Sequence, residues 1–237
     1  MKKQLRYFLI SLLVAPVFAA CDNVSGSGNV AREERRTGSF SRVSLEGSMN
    51  VIIAKGEQST SVIEAEDNLM EYIELINDGD ELVVRFRRNT SIRSHKKITV
   101  YLTTNTLESM RVSGSGNMEL KGLFSTATGM DIDLSGSGNI TGQVNAPEVD
   151  IDISGSGNVT LRGETRDVDI DIAGSGNCRA EDLLAENVSV SIAGSGDVRI
   201  FASRNLKADI IGSGGVAYKG EPSIKLNKVG SGSVRKL

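Results

Sequence analysis

Asp150-Ile151-Asp152-Ile153-Ser154-Gly155-Ser156-Gly157-Asn158-Val159 is the stretch whose reading decides the fold. Asp and Ile alternate with a period of two, as in a strand with one buried and one wet face. Gly-Ser-Gly then breaks the alternation with residues that turn a chain sharply. The corner phrase occupies residues 113–117, 135–139, 154–158, 173–177, 193–197, 211–215 and 229–233, so its last residue advances by 22, 19, 19, 20, 18 and 18. A period near twenty marks a repeat architecture.

The repeat has an internal grammar. Asp131-Ile132-Asp133-Leu134, Asp169-Ile170-Asp171-Ile172 and Ser189-Val190-Ser191-Ile192 copy the strand that enters the corner. The residue leaving it is always apolar: Met118, Ile140, Val159, Cys178, Val198, Val216 and Val234. A short strand follows, then a less regular return such as 163–167. No apolar stripe of helical length intervenes, which excludes a βαβ array. Strand, corner, strand and return make one rung of a parallel β-helix. The expected fold is therefore an all-β solenoid, a rod of roughly 34 Å for seven rungs at about 4.8 Å each.

Working outward, residues 109–237 form the regular repeats and 39–108 a set of wider first rungs and a β-rich cap, together one domain over 39–237. Gly47-Ser48-Met49-Asn50 is a degraded corner, 68–73 one helical turn capped by Asp67 or Asn68, and Asn77-Asp78-Gly79-Asp80 a hairpin turn. Arg85, Arg87, Arg88, Arg93, Lys96 and Lys97 make 85–97 the one basic stretch, read as a solvated loop facing the acidic rungs. Residues 21–38, with Arg32-Glu33-Glu34-Arg35-Arg36 and an extra corner at 25–29, read as a polar tether whose corner can dock on the first rung.

Residues 1–20 have the basic start (Lys2, Lys3, Arg6), apolar middle and small-residue end of a signal peptide. Phe18-Ala19-Ala20-Cys21 resembles a lipobox, in which Cys21 is acylated and becomes the new N-terminus. Ordinary secretory cleavage near Ala19 or Ala20 is the alternative. The apolar run is too short to span a bilayer, so acyl chains are the expected membrane anchor. Asp22 after the cysteine resembles an inner-membrane retention signal of enteric bacteria. The expected location is the envelope of an exporting bacterium, on an outer-membrane lipoprotein at the surface or the periplasmic face.

Removing residues 1–20 leaves 24 basic against 30 acidic residues, a formal charge of −6. With no basic patch interleaved with aromatics, nucleic acid is not an expected partner. His95 is the single histidine, which excludes a zinc site by Cys/His spacing. Cys178 occupies the apolar column and reads as core.

Stacking turns columns of sequence into ladders. Asn117, Asn139, Asn158 and Asn177 form a structural asparagine ladder. Asp131, Asp150 and Asp169 form one outward column, and Asp133, Asp152 and Asp171 the next. Like charges about 4.8 Å apart repel by roughly 0.9 kcal/mol per contact even at the dielectric of water. No cofactor is expected, the favoured reading being a screened, hydrated face; Ca²⁺, which accepts several carboxylate oxygens, is the one candidate occupant of these six residues. Arg162, Arg166 or Arg179 is the expected partner of that hydrated face.

The corners, together with Phe40…Val43, Asn50-Val51, Ile63-Glu64-Ala65, Asn68-Leu69 and Asp78-Gly79-Asp80-Glu81-Leu82, resemble the bacterial "putative auto-transporter adhesin, head GIN domain" family (DUF2807) over roughly 38–218. The resemblance implies a right-handed β-helix, exported by a Gram-negative bacterium and commonly lipidated. It carries no catalytic residues over to this chain. The expected function is a non-enzymatic envelope module that binds an envelope, glycan or host-surface partner, with a lipid on Cys21 as its only membrane contact. Two alternatives remain: a lyase-like polysaccharide enzyme using Asp152, Asp171 and Arg166 or Arg179, and a periplasmic envelope-stress or assembly protein. The scarcity of aromatics, with Phe124, Phe201 and Tyr218 the ones in the repeats, weighs against a sugar-binding cleft.

Overall fold

The computed structural model describes residues 22–57 and 61–237; the signal-peptide and lipidation readings, Cys21 included, lie outside them. In chain order the strands are β1 (Asp22–Ser25), β2 (Val30–Arg35), β3 (Arg42–Gly47), β4 (Asn50–Lys55), β5 (Ser61–Glu66), β6 (Ile73–Asp78), β7 (Glu81–Phe86), β8 (Thr90–Arg93), β9 (Thr99–Thr104) and β10 (Ser109–Gly114). They continue as β11 (Asn117–Ser125), β12 (Met130–Gly136), β13 (Asn139–Gly155), β14 (Asn158–Gly174), β15 (Asn177–Gly194), β16 (Asp197–Gly212), β17 (Gly215–Lys219), β18 (Ser223–Gly230) and β19 (Ser233–Lys236).

From β10 onward the chain is a β-solenoid of parallel rungs. Asp131, Asp150 and Asp169 lie side by side, as do Ile132, Ile151 and Ile170, and the corner glycines Gly114, Gly136, Gly155, Gly174, Gly194, Gly212 and Gly230 form one unbroken file. The alternation that identified the strand also decides its faces. Ile151 and Ile153 are buried while Asp152 and Ser154 are exposed. Inward columns such as Leu134, Ile153, Ile172, Ile192 and Ile210 run through the rod as one core. Each fully buried Ile or Leu contributes about 1.5–3 kcal/mol.

The return was expected to be irregular, but the chain stays in strand from one corner to the next, as in β13 and β14. Segment 163–167 stays in register with the rung before it, from Val144 opposite Gly163 to Glu148 opposite Asp167, with Arg166 alone unpaired beside Pro147. Unequal rung lengths are absorbed as register shifts after the corner, at Thr160/Arg162 and Ala180/Leu184. The corners never slip.

At the N-terminal end, spatial order departs from chain order. β3 pairs with β7 on one side and β10 on the other, and β4 lies likewise between β9 and β11. The rung written first is therefore second in space, and the terminal rung is β7 with β9. Antiparallel β6 covers β7, and β5 followed by β2 covers β9. The expected hairpin holds, with Gly79 at φ +62°. The helical turn is a 3₁₀ helix over Asp67–Tyr72 whose N-cap is Glu66, not Asp67 or Asn68.

The tether expected over 21–38 is largely folded. β2 pairs antiparallel with β5, and β1 pairs parallel with β8. The run of charges is compatible with a strand because Arg32 and Arg35 reach Glu64 and Glu33. The extra Ser-Gly-Ser-Gly-Asn corner docks on Asp67 and Asn68, with the Ser27 amide donating to Asn68 Oδ1 at 2.8 Å. The basic stretch is likewise not a bare loop: its β8 partners β1, and Arg85 and Arg87 pair with Glu74 and Glu71 instead of the ladder aspartates.

Glu66 holds this end together. The residue is buried, and its carboxylate accepts from the amides of Gly28 at 2.8 Å and His95 at 2.9 Å and from the Ser94 hydroxyl at 2.6 Å. The Ser94 bond above all, with the amides behind it, holds the carboxyl down to about 2 against a usual 4.5, although desolvation opposes this. A depressed folded-state value means that its stabilisation is full above 4.5 and disappears as pH falls from there toward 2. Glu66→Gln is expected to lower Tm at pH 7 and to flatten the acid limb of the Tm–pH curve. An unchanged acid limb would show that other carboxylates cause it.

Candidate functional site

The most distinctive surface is the outward face of β12, β13 and β14. Strand pairing sets Asp131, Asp150 and Asp169 in one column and Asp133, Asp152 and Asp171 in the next, as the period requires. All six line one open, shallow depression. Arg111 precedes the second column and donates to Asp133 Oδ2 at 2.9 Å. Beyond the columns come Ser189 and Ser191, then Lys207 and Asp209, which pair at 2.8 Å. Asp131, Asp150, Asp152, Asp169 and Asp171 have no cation within ion-pair distance among the described residues.

Partial burial, reinforced by Glu148 and Asp131, pushes the Asp150 carboxyl above its usual 3.8. Partial burial again, with Asp133 and Asp171 behind it, does the same at Asp152. A raised folded-state value has the opposite sign to that of Glu66. Its stabilisation is full below 3.8 and is lost as pH rises through the folded value, so the ladder is a burden at neutral pH. Asp152→Asn is expected to stabilise the rod by about 1 kcal/mol at pH 7 and low salt, an effect that shrinks as salt screens the face. Denaturant titration at two ionic strengths measures it, and a destabilised variant would mean that the carboxylate has a partner.

The arginines expected to partner the ladder go elsewhere. Arg166 pairs with Asp167 at 2.6 Å and Arg162 lies 4.0 Å from Asp182, and among the described residues no ion pair joins Arg179 to the ladder. The cause is position: these residues follow the corner and so occupy other faces of the rung. The triad imagined for a polysaccharide enzyme, Asp152, Asp171 and Arg166 or Arg179, is accordingly not assembled. For calcium, the columns share a face, yet among the described residues no three Asp, Glu, His or Cys side chains converge to hold one ion.

The asparagine ladder is longer than the repeats suggest. Nδ2 of Asn117 donates to Asn50 Oδ1 at 2.8 Å, Asn139 to Asn117 at 2.7 Å, Asn158 to Asn139 at 2.9 Å and Asn177 to Asn158 at 3.0 Å. Asn50, from the degraded corner, begins it by donating to the Ile98 carbonyl at 3.4 Å. It ends at Asp197, which has no side-chain amide and reaches Asn177 Oδ1 through its backbone N–H at 3.3 Å. Asp197→Asn is expected to add one rung and about 0.5–1.5 kcal/mol. No change in unfolding midpoint would show that the site is already satisfied by water. A second ladder, Asn205 to Asn187 to Asp167 at 2.7 and 2.8 Å, was not foreseen. Its members recur at steps of 20 and 18, which is the signal that was available. Cys178 is fully buried and its thiol is pushed up to about 12, first by desolvation and then by Glu181, so it is core rather than nucleophile.

Rungs, corners and cap are shared with a known group of proteins. Residues 39–222 match the family described as "Putative auto-transporter adhesin, head GIN domain". The chain belongs to the head GIN domain family. Solved structures give the same fold. A "putative adhesin" from Bacteroides fragilis is 24% identical with a TM-score of 0.85, covering 90% of this chain and 100% of that one. A "putative adhesin" from Parabacteroides distasonis is 21% identical with a TM-score of 0.76, covering 91% and 100%. A "putative lipid binding protein" from the same species is 22% identical with a TM-score of 0.72, again covering 91% and 100%. No curated protein matches the chain. The family is adhesin-like and points to the cell envelope or the exterior. Among the described residues no helix is long and apolar enough to cross a membrane.

Proposed function

We propose that this head GIN protein is a non-enzymatic, adhesin-like module of the bacterial envelope, anchored through a lipid on Cys21, whose aspartate face binds a cationic partner. The observation that carries the reading is the pair of in-register aspartate columns on an open face, in which only Asp133 of the six has an ion-pair partner among the described residues. Such a face costs stability in the isolated rod. A ligand presenting two or three positive charges at the rung spacing of about 4.8 Å would remove that cost and gain affinity from it. Extended basic polypeptide segments and aminated glycans both have this chemistry. Flat sheet faces suit contact with another surface better than enclosure of a small substrate.

The test is titration of a fluorescent hexalysine peptide into the purified exported chain, with and without millimolar Ca²⁺. Binding should weaken steeply with salt and fall at least tenfold in Asp131→Asn/Asp150→Asn/Asp169→Asn, which cancels three charges without altering shape. Competition by Ca²⁺ that disappears in Asp152→Asn would add calcium as an occupant. Equal binding by the parent and the triple variant would remove the aspartate face from the reading. Protease shaving of intact cells then separates surface display from a periplasmic role: loss of the rod supports adhesion, and survival until the outer membrane is breached favours a periplasmic partner.

A further inference from the structure

The opposite electrostatic surface lies at the N-terminal end. In the repeats two residues between strands, such as Ser115 and Gly116, join one face to the next, but in the terminal rung the link from β7 to β9 is the insertion 87–98. β8 within it pairs with β1, Asp22 opposite Thr90 and Ser25 opposite Arg93. Val24 and Ile92 face inward against the core. Asn23, Ser25, Ser91 and Arg93 are exposed on the other side of this ribbon, a face without a carboxylate. Arg88, Lys96 and Lys97 flank it, all exposed. Among the described side chains, which do not include that of Asp22, no carboxylate lies within ion-pair distance of Arg88, Arg93, Lys96 or Lys97. The acids nearby are already engaged: Glu66 is buried under the 94–96 turn, Asp67 accepts from the Ser27 hydroxyl, and Glu71 faces Arg87 at 4.0 Å.

We infer that this ribbon, with Arg88, Arg93, Lys96 and Lys97, is a membrane-docking surface that recognises anionic phospholipid headgroups. Three observations converge on it. Four cations with no ion pair among the described side chains lie on one twelve-residue insertion, 87–98, in a chain that is acidic beyond residue 20. Arg93 stands on the β1–β8 ribbon and the other three flank it, and the ribbon's inner side chains Val24 and Ile92 pack against the core, which fixes the face that is presented. The ribbon begins at Asp22, the residue after Cys21 in sequence, and β1 is already folded there. On the reading that Cys21 is acylated, the anchor is one residue from this ribbon in sequence and would bring it close to the bilayer. The aspartate columns begin several rungs further along the rod and would stand clear of an anionic surface that repels them. Headgroup binding does not require the acyl chain, and basic residues near a lipid surface add their attraction to that of an anchor.

The experiment uses non-acylated residues 22–237, which contain every buried core side chain. It measures co-sedimentation with vesicles of phosphatidylcholine and of phosphatidylcholine containing about one-third phosphatidylglycerol. Partitioning onto the anionic vesicles should exceed that onto neutral ones at least tenfold and vanish near 0.5 M salt. Arg88→Glu/Arg93→Glu/Lys96→Glu/Lys97→Glu should abolish the preference at unchanged Tm. Asp131→Asn/Asp150→Asn/Asp169→Asn should leave it intact, which keeps this result independent of the aspartate-face reading. Should the fourfold reversal fail to fold, Lys96→Ser/Lys97→Ser in the exposed turn is expected to reduce partitioning several-fold. Equal binding to both vesicles, or anionic binding unaffected in the basic-residue variants, overturns the proposal.

Discussion

Gly155→Ala is expected to destabilise the rod by about 3 kcal/mol or more, enough to lower Tm by roughly 10 °C in a domain of this size. Two effects add. Gly155 has φ +120°, a region that residues with a Cβ avoid. An added Cβ would also lie 2.5 Å from the Gly136 carbonyl oxygen and 3.2 Å from its carbon, both backbone atoms of the neighbouring rung. Relief requires the rungs to part, which stretches the amide bond from Ser156 to that same oxygen, now 2.8 Å. Gly122→Ala is the control. It has φ +92° but nothing within 4 Å of the added atom, so about 1 kcal/mol of conformational cost should be its whole effect. Denaturant unfolding of both variants checks the difference. Equal losses would mean that the corner's geometry, not the close stacking of rungs, demands glycine.

Ile151→Asp is expected to have the larger effect and to prevent accumulation of the folded chain. Ile151 is 1% exposed, stacked between Ile132 and Ile170 in an inward column. An aspartate there must either ionise without a partner in the core or take up a proton, at a cost of several kcal/mol, beyond the loss of the isoleucine's own burial. The neighbouring positions show how local the rule is, because Asp150 and Asp152 carry the same side chain on the wet face. Ile151→Val, which removes one methyl group, should cost about 0.5–1.5 kcal/mol. Soluble, cooperatively unfolding Ile151→Asp protein would contradict the inward assignment of that column.

Both predictions come from features that the sequence displays openly. Alternation of Asp and Ile gives the faces, and the spacing of Gly-Ser-Gly gives the register, because each signal is local and repeated. The aspartate columns and the asparagine file follow from that register, so the candidate site was legible to the residue. Its electrostatics were only half legible. That Arg111 would reach Asp133 while Arg166 would turn to Asp167 depends on which face each occupies, and the length of the return does not reveal it. The N-terminal end was harder for a related reason. Arg32-Glu33-Glu34-Arg35 looks like solvated chain because β2 has no apolar period: its half-buried face is made by Ala31 and Arg35, whose guanidinium donates to the Ile73 and Met70 carbonyls. Its strand is specified by its partner β5 rather than by itself. The Asn50 step of the ladder was hidden because Gly47-Ser48-Met49-Asn50 keeps the asparagine but loses the second glycine.

The displaced rung at the head of the rod has a consequence for synthesis and export. β3 and β4 emerge from the ribosome, or from a translocation pore, before either of their neighbours exists, because β7, β9, β10 and β11 all follow in the chain. Assembly cannot simply proceed from the leading end as residues arrive. The first rung must wait until residue 104 has appeared for β7 and β9 to close one flank and residue 121 for β10 and β11 to close the other. Every later rung has its template already in place. Such a chain has one slow, long-range step at the start and a processive zipper after it. The zipper runs toward β18 and β19.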